Sequence, residues 1–417
     1  MTVDSVIQIK CSCNQYPWGK QGSESLAARI CAKTPGWDED DKGNKTDFKI
    51  DENKAYSEMW MGTYPELPSY TIPDGKDLQD VIDENADQLL GQTVAKKFGH
   101  TKLPYLPKVL SISKALPLQL HPNKDLSAEL HKKDPSNFTD PNHKPEIALA
   151  LSKFEAFCGF KELQDIEPLM NLDPLKKFLP DVKKPKFDDQ MLKHVVNQML
   201  KAEDDVIAET VEGLRKLDTS SFGKDTYIHE LIPRLASQYD KTDPGILVAL
   251  ITMNYLVLEA GEGLFIPADG IHAYLSGDII ECMARSNNVL NTGFCPSGDR
   301  NSADLFCSVL TFSPHSAEEC MLRGEKYEGS SSGKTLVYKP PLSEFDMLVT
   351  DLGKGDKETL KAVEGPSILL ATKGSATMRA GGKTYDVGEG TTWFVGQGTE
   401  IELDSKDGLQ MHIAYVE

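Results

Sequence analysis

No stretch of the chain approaches the roughly 20 consecutive apolar residues of a membrane-spanning helix. Its opening, MTVDSVIQIKCSCNQYPWGK, lacks the basic start and apolar centre of a secretory leader. Basic charge is scarce as well: 45 Lys and Arg stand against 64 Asp and Glu, for a net charge of −19. So acidic a chain offers no general surface to nucleic acid or anionic membrane, because both need clustered cations. An anionic substrate would have to be met by a local basic patch. Paired cysteines are missing too. The eight are scattered, several of them in apolar text (Cys158, Cys282, Cys307), and the C-x-C of Cys11 and Cys13 has no second pair to complete a zinc site. Reduced thiols and a cytoplasmic setting are therefore expected. Repeats of about 20 to 50 residues and low-complexity tracts are absent.

With 417 residues, the chain is too long for one core, and two or three domains are expected. Up to about residue 160, short alternating runs closed by Gly and Pro (IQIKCSCNQYPWG, AYSEMWMGTYPELPSY, PYLPKVLSISKALPLQLHP) read as strands. One helical segment with a Gly stop, LQDVIDENADQLLGQTVAKKFG, lies among them. Apolar periodicity of 3.6 then takes over in KELQDIEPLMNLDPLKKFLPD, DDQMLKHVVNQMLKAEDDVIAETVEGLRKL and TYIHELIPRLASQYD, and ends near Asp243-Pro244. Strand text resumes at MNYLVLEAGEGLFIPADGIHAYLSGDIIECMA. The pattern predicts a mainly β protein. Residues 1–160 and 246–330 form one discontinuous unit, 161–245 a helical insertion, and 331–417 a second β unit of jelly-roll type with a Gly381-Gly382 hairpin.

Gln119 and His121 stand two apart at the end of an apolar alternation, so on a strand they face the same way, and Pro122 ends the pairing. Glu146 and His272 could supply a carboxylate and a second imidazole. Such an N/O set suits Zn²⁺, with Mn²⁺, Fe²⁺ or Co²⁺ as alternatives. A lone histidine at a strand end is more often hydrogen-bonded or exposed than ligating, and spacing leaves both readings open. His131 and His143 read as exposed.

The passages NQYPWG, SEMWMGTYP, QLHPNK, NHKPE, FEAFCGF and HAYLSGDIIECMA, taken together, resemble the type I mannose-6-phosphate isomerases over nearly the whole chain. That resemblance implies cupin jelly-roll barrels and one Zn²⁺ per chain on Gln119, His121, Glu146 and His272. It implies interconversion of mannose 6-phosphate and fructose 6-phosphate, supplying GDP-mannose synthesis and glycosylation, by a monomer acting on a phosphorylated hexose. Such an isomerase needs a base near C1 and C2, an electrophile and a grip on phosphate. Glu281, on an apolar strand, is the expected base, although a buried carboxylate paired with a cation is an equal reading. Lys144 and Tyr274 are expected near the sugar, and Trp18 at the pocket wall.

One segment departs from the family. Where it has an arginine and a lysine in NVVRAG-TPK, this chain reads NVLNTGFCPS, with Asn291 and Ser297, and the family's serine before the glutamine is Pro117. Arg285, six residues before Asn291, and Arg300 are candidate replacement contacts for the phosphate. The competing readings are a metal cupin that binds sugar phosphate without turnover and an iron-dependent cupin oxygenase, for which Gln119 would be a poor fourth ligand.

Overall fold

The structure is a computed structural model and describes residues 3–34, 48–181 and 186–417. Its described strands build an eleven-stranded sheet, a ten-stranded sheet and a two-stranded ribbon. The hub of the first sheet is the strand His272–Ala284. Its first residues pair with Leu118–Leu120 and Phe154–Phe160, and its remainder pairs with Tyr105–Ile112 and Glu146–Ala150. The change of partner falls at Gly277, with φ +123°, where a Cβ would sit 2.6 Å from the Lys153 carbonyl oxygen.

Period-two alternation divides this sheet into two faces. Val109, Ile147, Ile280 and Cys282 belong to the core shared with the second sheet. Leu110, Ala148, Ile279 and Tyr274 belong to the core inside the first unit. Stepping by twos along that inner face leads to Lys108, Glu146, Glu281 and His272. The site is therefore the polar end of an otherwise apolar surface.

The second sheet is organised by Ser367–Ala380 and Ile401–Tyr415, and Ala380 faces Lys383 across the expected hairpin. Gly381 and Gly382 take φ +58° and +76°, as a two-residue primed turn requires. The first strand, Val6–Lys10, pairs with Thr392–Val395, so strand pairing joins the beginning of the chain to its end. Helices Leu163–Met170, Asp189–Lys201, Asp204–Arg215 and Tyr227–Gln238 fall where the 3.6 period placed them. They pack on Leu118, Phe157, Phe160 and Leu275 of the first sheet.

Helical structure does not stop at Asp243-Pro244, as the periodicity predicted. Asp243 caps a further helix, Pro244–Thr252, whose nine residues are all buried. A helix that is apolar all round has no polar stripe to give it away. Among the described residues, no helix is long and apolar enough to cross a membrane.

Candidate active site

His121, Glu146 and His272 bring their ligating atoms within 4.8 Å of one another, and all three are buried. His121 Nδ1 lies 2.7 Å from the Asn288 carbonyl oxygen and His272 Nδ1 lies 3.0 Å from that of Gly270. A carbonyl can only accept, so each Nδ1 carries the proton and each Nε2 presents a lone pair. Those Nε2 atoms are 3.2 Å and 3.7 Å from the two Glu146 oxygens, yet both are buried without a hydrogen-bond partner. Two lone pairs facing a carboxylate need a cation among them. Two imidazole nitrogens and a carboxylate oxygen match the donor chemistry of Zn²⁺. Gln119 stands directly opposite His272 in register, so its side chain shares that face.

Charge supports the same reading. Burial would raise the Glu146 carboxyl, but the Lys144 ammonium, 3.1 Å away, opposes it, and the group is held well below the usual carboxylate range. Burial pushes both imidazoles down, His272 to about 4, which keeps them neutral and available as ligands. Tyr274 donates to Glu146 at 3.4 Å, and burial beside that carboxylate keeps its phenol protonated.

Glu281 is buried and its Oε2 lies 3.0 Å from Lys108 Nζ, so the carboxylate is paired. Trp60, Lys108, Glu281 and Ala148 form one register row across four strands. The Lys108 ammonium sits 4.9 Å from the Trp60 ring. Burial and the nearby Glu146 push Glu281 up to about 7, against the pull of Lys108 and Lys144. Sequence reasoning missed Lys108. Its signal was a lone cation inside PYLPKVLSI, an otherwise uncharged and, in the structure, wholly buried strand.

The two candidate arginines part company. A regular strand from Arg285 to Asn291 does not exist: the strand ends at Ala284, and pairing resumes at Leu290. Arg285 bonds Thr63 through Oγ1 and the carbonyl, stacks 4.8 Å from the Tyr64 ring and lines a cleft with His100 and Asp140. Arg300 lies with Trp18, Pro117 and Asn291 around a different cavity of about 610 Å³. Its guanidinium already engages Asp243 at 2.9 Å and the Cys295 carbonyl. Lys114 lines the same cavity, 3.9 Å over the Tyr239 ring and without a carboxylate at ion-pair distance among the described residues. His131 and His143 are half-buried rather than exposed. Each is hydrogen-bonded, His131 to the Phe138 carbonyl and His143 to Glu344. The eight cysteines are all unbridged.

Comparison with known proteins adds an independent line. The model of the phosphomannose isomerase type I catalytic domain matches residues 6–163, and that of the type I C-terminal region matches residues 335–383. The mannose-6-phosphate isomerase of Candida glabrata is 34% identical over 98% of this chain and 97% of its own. That of Saccharomyces cerevisiae is 35% identical over 97% and 96%. Among solved structures, a variant of phosphomannose isomerase from Salmonella typhimurium superposes with a TM-score of 0.83 at 24% identity, covering 100% of both chains. A mannose 6-phosphate isomerase bound with zinc and yttrium superposes with a TM-score of 0.82 at 24% identity, covering 99% of this chain and 100% of the other.

Proposed function

The chain belongs to the type I mannose-6-phosphate isomerases and is an isomerase, and from that premise we propose that it interconverts D-mannose 6-phosphate and D-fructose 6-phosphate with one Zn²⁺ per chain. Gln119, His121, Glu146 and His272 would hold the ion, as parts of a cupin-type barrel. The observation that carries this assignment is the pair of buried imidazole lone pairs turned toward one carboxylate. When bound, the cation would supply a positive centre that polarises the oxygens of the sugar.

The remaining roles belong to the chain's own side chains. Moving a proton between C1 and C2 calls for a group that both takes and gives it, and Glu281, poised at about 7, is suited to that near neutral pH. Lys108 orients the Glu281 carboxylate by its 3.0 Å ion pair. Lys144, beside Glu146, is placed to hold substrate oxygens, and Tyr274 fixes the Glu146 carboxylate. For the phosphate we assign Lys114 and Arg300, with Trp18 as a wall of their cavity, in place of the family's arginine and lysine. Arg285, committed to Thr63 and Tyr64, fits a role in holding the strand end. Supply of mannose 6-phosphate for GDP-mannose synthesis is the cellular role that follows.

A coupled isomerase assay tests the proposal. Activity should vanish with a chelator and return with Zn²⁺. Binding of mannose 6-phosphate without turnover, in metal-replete protein, would mean a sugar-phosphate-binding cupin instead.

A further inference from the structure

Behind the first sheet, a cavity of about 410 Å³ is lined by Cys158, Gly159, Gly270, His315 and Cys320. The strand Phe154–Phe160 bulges between Cys158 and Phe160, where Gly159 adopts φ +61°. A Cβ at Gly159 would lie 2.3 Å from His315 Nε2, so the strand leaves room for the imidazole only because this residue is glycine. His315 is fixed by its backbone: its N–H donates to the Phe160 carbonyl at 3.0 Å, and its own carbonyl accepts from Asn254 at 3.1 Å. Its Nδ1 lies 3.0 Å from the Ser316 carbonyl oxygen and 3.8 Å from Cys320 Sγ, whose thiol, when protonated, donates to the Cys158 carbonyl at 3.3 Å. The turn carrying Cys320 is locked by a capping box between Ser316 and Glu319.

From this geometry we propose that Cys320 is an oxidisable nucleophile, with His315 as its proton partner, Cys158 as its resolving thiol and hydrogen peroxide as its reactant. The Cys320 sulfur, as thiolate, attacks one peroxide oxygen; an S–O bond forms as the O–O bond breaks. The departing hydroxide takes the imidazolium proton of His315 and leaves as water. Sulfur gives up two electrons and the peroxide gains them, leaving a sulfenic acid. Attack by the Cys158 thiol then forms S–S and breaks S–O, and the Cys158 proton leaves with the hydroxyl as a second water.

Protonation favours this cysteine over the others. Hydrogen bonds from the Cys158 and His315 side chains hold the Cys320 thiol down to about 6, against burial and Glu319, and His315 is held up to about 9, first by Cys320. Burial drives Cys11 and Cys13 up to about 12 and Cys295 up to about 11. The cavity also places the chemistry near the metal-site candidates. Cys158 is the register partner of His272, and Gly270 carries the carbonyl that orients its ring.

The test exposes the zinc-loaded full chain to hydrogen peroxide, followed by alkylation, digestion and mass spectrometry. Cys320 should oxidise at least about tenfold faster than the partly exposed Cys13 at about pH 7, as the Cys158–Cys320 disulfide. In Cys158→Ser it should appear as a sulfenic acid trapped by dimedone. His315→Gln should slow oxidation of Cys320 at least about tenfold near pH 7, with the gap closing by about pH 9.5. Oxidation of Cys320 no faster than that of Cys13 overturns the proposal, as does a folded His315→Gln variant with an unchanged rate. If that variant does not fold, the pH profile of the unmodified chain decides: half-maximal reactivity near pH 6 is expected, and near pH 9 contradicts.

Discussion

Replacing Lys108 with methionine keeps the stem beside Trp60 and removes the ammonium 3.0 Å from Glu281. In the parent, burial and Glu146 already push Glu281 from its ordinary 4.5 to about 7, with Lys108 pulling the other way. Loss of Lys108 raises it further. A folded-state value above the unfolded one means that the folded chain keeps a proton the unfolded chain has released. The stability so gained is complete below about pH 4.5 and drains by about 1.4 kcal/mol per pH unit until the folded value is passed. In the parent this loss ends near pH 7; in Lys108→Met it continues. Between about pH 7 and 8.5 the variant should lose about 2 kcal/mol that the parent keeps. Urea unfolding of both metal-stripped proteins at several pH values measures the difference, and titrating groups remote from Lys108 cancel in the subtraction. A gap that does not widen with pH across that interval would refute the assignment of a strained, partly neutralised Glu281.

Three further outcomes follow. Lys114→Ala should raise KM for mannose 6-phosphate by about 10- to 100-fold, the loss of one charge-assisted contact, with a smaller change in kcat. Arg285→Ala should leave KM within about twofold, and steady-state kinetics on the two variants side by side separate the cavities. Leu250→Ala, in the buried helix Pro244–Thr252, should cost about 2–5 kcal/mol in denaturant unfolding. A cost below about 1 kcal/mol would mean that this helix is not part of the core.

Much of this site is written in local sequence. The Gln119-x-His121-Pro122 spacing marks the end of a strand, which runs Leu118–Leu120 and stops just before His121, and the Gly381-Gly382 turn fixes its hairpin. What escaped depends on distance along the chain or on surroundings. Nothing local to Val6–Lys10 says that its partner is Thr392–Val395, because pairing across the whole chain leaves no periodic mark. The helix Pro244–Thr252 escaped because burial on every side erases amphipathicity. Lys108 was assigned no role, because its partner Glu281 meets it only across the sheet. Arg285 would share a face with Asn291 only on a regular strand joining them, and the strand ends one residue before it.

The lone pairs of His121 and His272 and the carboxylate of Glu146 form a ready cage for a divalent cation, and anomalous X-ray diffraction at the zinc edge examines that cage directly. Crystals of zinc-loaded protein should show one strong peak about 2.0–2.2 Å from His121 Nε2, His272 Nε2 and a Glu146 oxygen, with Gln119 Oε1 completing the set. A fully active enzyme whose crystals carry no anomalous peak among these residues would contradict the account.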